Sequence, residues 1–174
     1  MSEVKNVLDN FGRYLVKESR KNLTRKGKRD RSKLYNSLDY NLRIGPNSFE
    51  FDFVMEDYGD FVDQGVKGTK SSFKAPRSKY RFGTGTGKRG GLTNAIDDLV
   101  RRKRIQFRDK KGRFMSFKST SFLIRRSIWE KGLETTNFYS RPFELGFKRL
   151  PDDLVEAYAL ELEQFIEFSI NDTL

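Results

Sequence analysis

The 174-residue sequence contains no cysteine and no histidine. Without cysteine, the chain has no disulfide framework, zinc ribbon, iron–sulfur cluster or thiol nucleophile. Without histidine, it lacks the Ser-His-Asp triad, the HExxH zinc site and a histidine general base. These two absences exclude most common enzyme chemistries. The sequence therefore predicts a protein that is not an enzyme, with no catalytic residue, metal ligand or cofactor.

Long apolar runs are missing as well. No stretch approaches the roughly 20 apolar residues that cross a membrane, and residues 1–8 lack the order of a signal peptide. We therefore expect a soluble protein, made inside the cell, without a membrane partner. Apolar residues make up 36% of the chain and charged residues 34%. The content of Leu, Ile, Val and Phe still exceeds that of disordered chains. The length suits one domain, or one domain with a large insertion, and we interpret residues 1–174 as a single domain.

Basic residues outnumber acidic ones, 35 to 24, which gives a formal net charge of +11. The charge is unevenly distributed, because residues 151–174 contain seven acidic residues and no Lys or Arg. That segment carries −7 and the remainder +18. Such polarity favours contacts between oppositely charged faces of neighbouring molecules. Two solvated faces that bind nothing would have the same composition.

Helical periodicity marks both ends of the chain. Apolar residues recur at three- and four-residue steps from about residue 3 to the low twenties, which predicts an amphipathic helix. Pro151, followed by two aspartates, suits the first turn of a second long helix. Shorter helices are predicted near residues 92–100 and 122–129. The apolar face of the final helix is predicted at Leu154, Val155, Tyr158, Leu162, Phe165 and Ile166, followed by Ser169.

Two hairpins are predicted between these helices. Apolar and polar residues alternate over 38–44 and 49–53 on either side of a Gly-Pro-Asn turn, which predicts a hairpin with one buried face. A second hairpin is predicted over residues 105–117, with its turn at 109–112 and Phe107 in its core. The order of elements predicts an α+β fold, in which an antiparallel sheet of hairpins packs against long N- and C-terminal helices.

Residues 67–91 are rich in Gly, Ser, Thr, Lys and Arg, and this composition cannot bury enough apolar area to fold alone. We expect an extended basic arm or loop that a neighbouring protein orders. The residues predicted to form this protein interface are Lys67, Lys70, Phe73, Lys74, Arg77, Tyr80, Arg81, Phe82, Lys88 and Arg89.

The glycine-rich stretch 83–89 does not fit a phosphate-binding loop. Phe82 stands where the GxxxxGK[ST] pattern needs glycine, and Arg89 stands where it needs a hydroxyl group. We interpret the stretch as a flexible basic loop.

Carboxylates cluster between residues 56 and 63. Nothing in the sequence fixes them as the ligands of a two-metal nuclease, so a nuclease is the less favoured interpretation. We interpret the cluster as a solvated acidic face beside three buried residues. The carboxylates are Glu56, Asp57, Asp60 and Asp63, and the residues expected to be buried are Tyr58, Phe61 and Val62.

Basic clusters lie at residues 17–33, 67–89 and 101–113 and are interleaved with aromatic residues. This composition is typical of surfaces that bind single-stranded nucleic acid. It also suits an arm that folds against an acidic protein. A basic nucleic-acid-binding accessory protein is therefore the alternative to a structural role.

Three patterns, in this order, resemble the head-to-tail joining and tail-completion family, the neck and minor tail proteins of tailed bacteriophages. Residues 32–38 are similar to the family's stretch before the first strand, although Ser32 replaces the usual Gly. Residues 58–65 are similar to its Tyr-x-x-Tyr-Val-Glu-x-Gly element, although Val66 follows where Thr is frequent. Residues 137–143 resemble its aromatic-proline element before the last helix, and 122–138 also look like a neck-protein segment. The motif residues expected in the core are Tyr58, Phe61, Val62, Gly65, Phe138 and Pro142.

This resemblance implies a structural virion protein without catalytic residues. The α+β protomer would assemble as a homo-oligomeric ring, a hexamer or dodecamer, that joins the head connector to the tail. Its neighbours would be other neck, portal-connector or tail-tube proteins, and double-stranded DNA would pass through it transiently. The protein would reside in the neck or tail of the virion, and in the host cytoplasm during assembly.

Overall fold

The computed structural model describes residues 2–27, 33–45, 48–84 and 91–171. These residues form helices and two small antiparallel sheets, which confirms the predicted α+β class. The two longest helices lie at the ends of the chain, as predicted. In chain order, the elements are α1 (Ser2–Arg25), α2 (Lys33–Ser37), β1 (Asp39–Ile44), β2 (Phe49–Val54), α3 (Gly59–Gln64), β3 (Val66–Lys67), α4 (Gly91–Lys103), α5 (Phe117–Lys131), β4 (Gly132–Leu133), α6 (Ser140–Phe147) and α7 (Leu150–Asn171).

Backbone contacts divide the chain into two compact units. The first unit comprises Met1–Asp63 and Thr136–Leu174, and the second comprises Gln64–Thr135. The second unit contains α4, α5 and the strands β3 and β4 in addition to residues 67–84 of the predicted loop. That the whole chain forms a single domain stays a prediction.

The main core of the first unit lies along α1. Leu8 and Leu15, one face of the predicted amphipathic helix, are buried there. Phe51 of β2 packs against Phe11 of α1, with ring centroids 5.2 Å apart. Because burial of one large apolar side chain contributes about 1.5–3 kcal/mol, this cluster stabilises a helix that would be marginal alone. The other buried members of the cluster are Val4, Leu150 and Ala157.

The β1–β2 hairpin packs its predicted apolar face on α1. Tyr40 pairs with Phe53 and Leu42 pairs with Phe51, so these side chains share one face. Gly12 allows the Tyr40 ring to approach the helix backbone, because an added Cβ at residue 12 would lie 2.5 Å from that ring. The close approach fixes the hairpin against α1.

A second cluster of the first unit forms around Phe138. This side chain is fully buried and packs with Leu23, Leu34 and Leu38. The guanidinium group of Arg20 donates hydrogen bonds to the carbonyls of Tyr35 (3.3 Å) and Leu38 (3.0 Å). Residues 33–38 and Phe138, which belong to two of the three sequence patterns, therefore share one core.

In the second unit, α4 and α5 pack against each other. Their buried residues are Ile96 and Val100 of α4 and Thr120 and Ser121 of α5. Strands β3 and β4 pair antiparallel, with Val66 opposite Leu133. Both helices were predicted, whereas this sheet of two two-residue strands was not.

The predicted second hairpin forms its turn but not its strands. The N–H of Gly112 donates to the carbonyl of Asp109 at 2.9 Å within the predicted turn, and an isolated antiparallel bridge joins Arg108 to Phe114. The Ser116 hydroxyl accepts a hydrogen bond from the backbone N–H of Ser119 at 3.1 Å, and this cap starts α5 at Phe117. The cap turns the end of the predicted strand into the first turn of a helix. Phe107 is exposed, so the prediction that it lies in a hairpin core is wrong.

Candidate assembly surface

The carboxylates at residues 56–63 do not form a metal site. Asp63 is only 1% exposed, and its Oδ1 atom accepts hydrogen bonds from the backbone N–H groups of Tyr139 (3.0 Å) and Ser140 (3.3 Å). Asp60 accepts a hydrogen bond from the Tyr139 hydroxyl at 3.0 Å. Among the described residues, no group of three or more acidic side chains could hold a metal ion. The prediction of a solvated acidic face is wrong for Asp63, because this carboxylate satisfies N–H groups at the start of α6.

Asp63 also joins two of the sequence patterns through its backbone. Its carbonyl oxygen accepts hydrogen bonds from the N–H groups of Thr136 (2.9 Å) and Asn137 (3.0 Å). The neighbouring carbonyl of Val62 accepts one from the Thr136 hydroxyl at 2.6 Å. Residues 58–63 and 136–143 are therefore held side by side by polar contacts that the sequence did not predict.

The motif residues that were predicted to lie in the core differ in how deeply they are buried. Phe138 and Pro142 are buried, and Val62 packs against the Phe138 cluster. Tyr58 and Phe61 are exposed, so the prediction that they are buried is wrong. The Tyr58 hydroxyl instead accepts a hydrogen bond from the backbone N–H of Leu34 at 3.1 Å. This bond involves only the end of the side chain, so the ring can remain exposed.

Gly65 is another of the predicted motif residues, and it lies in the second unit. Its φ is +71°, and an added Cβ would lie 2.6 Å from the carbonyl oxygen of Leu133. Its own carbonyl accepts a hydrogen bond from the buried Ser78 hydroxyl at 2.7 Å. Glycine is therefore needed at this position for both its backbone conformation and its close packing.

The described part of the predicted arm folds back on its own unit. The N–H of Lys67 donates to the carbonyl of Tyr80 at 2.9 Å, and the N–H of Phe82 donates to the carbonyl of Lys67 at 2.9 Å. The Phe82 ring lies 5.5 Å from that of Trp129 in α5. Ala75 is fully buried. Residues 68–84 therefore form a loop without a helix, in keeping with the predicted arm or loop, and the contacts that order it come from its own unit.

Lys70 ties the same segment to α5 by an ion pair. Its ammonium group lies 2.9 Å from the carboxylate of Glu130, which also accepts a hydrogen bond from Arg126 at 3.1 Å. Hydrogen bonds from Lys70 and then Arg126 lower the pKa of Glu130. The carboxylate therefore stays ionised at neutral pH and anchors the segment.

The remaining residues of the predicted arm interface differ in their contacts and exposure. Lys74 and Arg77 are exposed, and the exposed Arg81 donates a hydrogen bond to the carbonyl of Thr69 at 3.1 Å. Phe73 is 90% exposed and is the apolar residue of the segment that remains accessible to a partner. Lys88 and Arg89 lie outside the described residues, as does the end of the glycine-rich stretch.

The final helix contacts the core of the first unit through a narrow stripe. Leu150, Leu154 and Ala157 pack against α1. Glu161 continues this stripe, and its carboxylate accepts hydrogen bonds from the backbone N–H groups of Glu3 (2.8 Å) and Val4 (3.3 Å). A carboxylate at this position satisfies N–H groups of the first turn of α1 and complements its helix dipole.

A second apolar row of α7 is exposed. We define the outer face of α7 as Val155, Tyr158, Leu162, Phe165 and Ile166. All five are exposed, with Val155 at 70% and Phe165 at 67%. The prediction that this row faces the core is wrong. The stripe through Leu154 makes the contact with α1. Because successive residues lie about 100° apart around the helix axis, the row of five residues is turned away from that stripe.

The helix also continues beyond Glu161, which bonds to the first turn of α1. Gly146, just before α7, lies against Phe11, whereas Glu161 bonds to Glu3, so the two helices run antiparallel. Residues 162–171 come after that contact and span about 15 Å at 1.5 Å per residue. Leu162, Phe165 and Phe168 in this segment are exposed.

Exposed carboxylates lie along one side of the outer face of α7. They are Asp152, Asp153, Glu156, Glu163 and Glu167. Apolar surface bordered by charges of one sign fits a protein partner with apolar and basic residues. A separate groove of about 750 Å³ lies on another side of the helix, where its lining includes Phe11 and Leu160 but none of the five outer-face residues.

Within the described ranges, every helix is too short or too polar to span a bilayer.

Comparisons with known proteins do not identify a relative. The chain matches no protein-family model, no curated protein and no solved structure. The resemblance to phage neck proteins therefore rests on the three sequence patterns alone and stays a prediction.

Proposed function

We propose that the protein is a structural subunit of the neck of a tailed bacteriophage. It acts as a head-to-tail joining or tail-completion protein, in a ring that connects the head to the tail, and it has no catalytic role. The observation that carries the proposal is the outer face of α7, an apolar row that is exposed on a helix continuing beyond its bond to the first turn of α1. Such surfaces on soluble proteins mark protein interaction sites.

The arrangement of the sequence patterns supports the same proposal. Residues 33–38 and 137–143 meet in the Phe138 cluster, and Asp63 bonds residues 58–63 to the start of α6. Segments that define one protomer fold are expected to share a core, because native contacts support one another.

The charge distribution is consistent with assembly into a ring. Head-to-tail contacts in a ring join two different faces of the subunit. The acidic helix α7 supplies one face, and the +18 carried by the rest of the chain supplies basic surface for another. The ring would place copies of this chain beside each other and beside other neck, portal-connector or tail-tube proteins.

The proposal is tested by placing a charge on the outer face of α7. We expect the full-length chain to sediment as a ring-sized oligomer and to show rings in negatively stained images. Leu162→Lys and Phe165→Lys should each convert it to monomers, because burial of a lysine at an apolar contact is unfavourable. Gln164→Lys is the matched control, since it adds the same charge at an exposed position on another side of the helix.

Circular dichroism of all three variants should match that of the parent chain. A parent chain that stays monomeric up to its solubility limit would contradict the proposal. Rings that persist in both apolar-face variants would show that α7 is not the assembly surface.

The alternative predicted from the sequence, a basic nucleic-acid-binding accessory protein, stays a prediction. The two proposals differ in what they require. A monomer could bind nucleic acid without the outer face of α7, whereas a neck ring requires contacts between subunits. The positive charge of the second unit is the observation that favours it.

A further inference from the structure

Positive charge is concentrated in the second unit. Residues 64–135 contain 20 Lys and Arg but only five Asp and Glu, a formal charge of +15, so the rest of the chain carries −4. Glu130 is shared by Lys70 and Arg126, and Asp109 pairs with Arg113. Five carboxylates cannot neutralise 20 cations, so most of this charge must be balanced from outside the unit.

One continuous part of the unit carries much of this charge. We define the 101–119 surface as residues 101–119, which contain nine basic residues and one acidic residue. All nine basic side chains are exposed. They are Arg101, Arg102 and Lys103 in the last turn of α4, Arg104, then Arg108, Lys110, Lys111 and Arg113 in the following loop, and Lys118 in the first turn of α5.

The single carboxylate of this surface is used to hold the loop. Asp109 accepts hydrogen bonds from the N–H groups of Lys111 (2.8 Å) and Arg113 (2.9 Å) and from the Arg113 side chain (3.1 Å). The backbone bond from Arg113 is the main cause that lowers the pKa of Asp109, so the loop is held through an ionised group. Lys110 and Lys111 are thus presented on an ordered turn.

Two further bonds fix the base of the loop. The N–H of Met115 donates to the carbonyl of Phe107 at 2.8 Å, and the N–H of Phe107 donates to the buried hydroxyl of Thr120 at 3.2 Å. The loop is therefore anchored to α5. A pre-ordered set of cations loses less conformational entropy on binding than a flexible tail does.

Exposed aromatic rings lie among the cations. The guanidinium carbon of Arg108 lies 4.1 Å from the centroid of the Phe114 ring, and that ring is 63% exposed. Phe107 and Phe117 are exposed as well. An acidic protein surface needs only the cations, whereas nucleotides offer both phosphates and flat bases that stack on such rings. The combination therefore favours nucleic acid over an acidic protein as the ligand.

Arg104 has a backbone conformation that favours glycine. Its φ is +52°, and it follows the last helical residue of α4. The helix dipole accounts for the basic residues in the last turn of α4. It does not account for an arginine at position 104, where glycine would adopt the positive φ with less strain. A strained residue that keeps a charged side chain is consistent with a binding role for that side chain.

We infer that the 101–119 surface binds the phosphodiester backbone of nucleic acid, with its basic side chains on the phosphates and its exposed rings available to bases. This inference does not depend on the neck proposal. The surface lies in the second unit, whereas the proposed assembly face lies on α7 in the first.

The test measures binding of the full-length chain to labelled duplex and single-stranded oligonucleotides over a range of NaCl concentrations. Each phosphate contact contributes about −0.9 to the slope of log K against log [salt] on duplex DNA, and about −0.7 on a single strand. Lys110→Gln/Lys111→Gln should therefore make the slope less steep by about 1.8 on duplex or about 1.4 on a single strand. Lys5→Gln/Lys17→Gln in α1 is the matched control, because it removes two exposed cations from the first unit and should leave the slope unchanged.

Two single variants refine the assignment. Arg104→Gly removes a cation and relieves backbone strain, so the chain should melt no lower than the parent and bind duplex roughly fivefold to tenfold more weakly near 0.1 M salt. Phe114→Ala separates the two forms of nucleic acid. A loss of about fivefold or more on the single strand assigns the site to unpaired bases, and unchanged affinity on both forms assigns it to the backbone alone.

Several results would overturn the inference. The first is failure of the parent chain to bind either oligonucleotide at low salt. The second is an equal loss of affinity in the α1 control and the loop variant. The third is binding of polyglutamate as tightly as of nucleic acid, because this would show a general affinity for acidic polymers. Each of these results is independent of ring formation, so it leaves the neck proposal standing.

Discussion

At the scale of single residues, Asp63 shows how one buried carboxylate can connect distant parts of a chain. Its side chain bonds to the backbone of Tyr139 and Ser140, 76 and 77 residues away. Tyr139, at the N-cap position of α6, makes no side-chain capping bond of its own. The start of α6 therefore has no cap in its local sequence, and a residue from another segment supplies it.

We expect Asp63→Ala to lower the free energy of unfolding by about 2 kcal/mol or more. The substitution leaves two N–H groups without their acceptor, and an unsatisfied buried group costs about 1–3 kcal/mol. Asp63→Asn should lose less, because the amide oxygen can still accept both bonds. Urea unfolding followed by circular dichroism would measure the difference. Asp57→Ala, at an exposed site, is the control, and equal stability of the two alanine variants would contradict this role of Asp63.

At the scale of elements, local periodicity predicted the features that depend on local contacts. It located α1, the β1–β2 hairpin, α4, α5 and α7, since each has an apolar face of the correct period. It did not locate α6, whose cap comes from Asp63, or the early start of α5, which the Ser116 hydroxyl determines. A capping contact adds no apolar residue to the pattern, so periodicity cannot detect it.

The outer face of α7 shows a second limit of sequence patterns. An apolar row indicates that some surface will cover it, but the pattern does not say whether that surface belongs to the same chain. In α7, a narrow stripe with Leu150 and Ala157 contacts the core, while the larger row with Phe165 stays exposed. The candidate assembly surface could therefore be identified only once the contacts of α1 were known.

We expect Gly12→Ala to destabilise the chain, although alanine is the better helix former. The helix preference favours alanine by about 1 kcal/mol, whereas crowding in a packed site costs about 1–3 kcal/mol. The Tyr40 ring cannot easily move away, because its hydroxyl bonds to Asp9 at 3.1 Å. Crowding should therefore dominate, and the free energy of unfolding should fall by about 1 kcal/mol.

A double-mutant cycle separates these two effects. In a Tyr40→Ala background the ring is absent, so Gly12→Ala should stabilise the chain by about 1 kcal/mol. The change of sign, measured by urea unfolding, would place the cost at the contact between α1 and β1. The same loss in both backgrounds would instead show that residue 12 does not contact the hairpin.

At the scale of the whole molecule, the chain separates its charges between two units. The second unit carries +15 within 72 residues, and the remainder carries −4. Repulsion among like charges destabilises a compact state unless counterions or a ligand reduce it. The distribution that suits nucleic-acid binding should therefore lower the stability of the free second unit.

Salt should consequently stabilise the second unit of the free protein. The distance over which charges interact falls from about 30 Å at 0.01 M salt to about 8 Å at 0.15 M. Trp129 is the only tryptophan and lies in α5, so its fluorescence reports on this unit. We expect its melting temperature to rise by a few degrees between these salt concentrations, and to rise less in Lys110→Gln/Lys111→Gln. A melting temperature that stays constant or falls would show that ion pairs such as Lys70–Glu130, which salt weakens, outweigh the repulsion among the remaining cations.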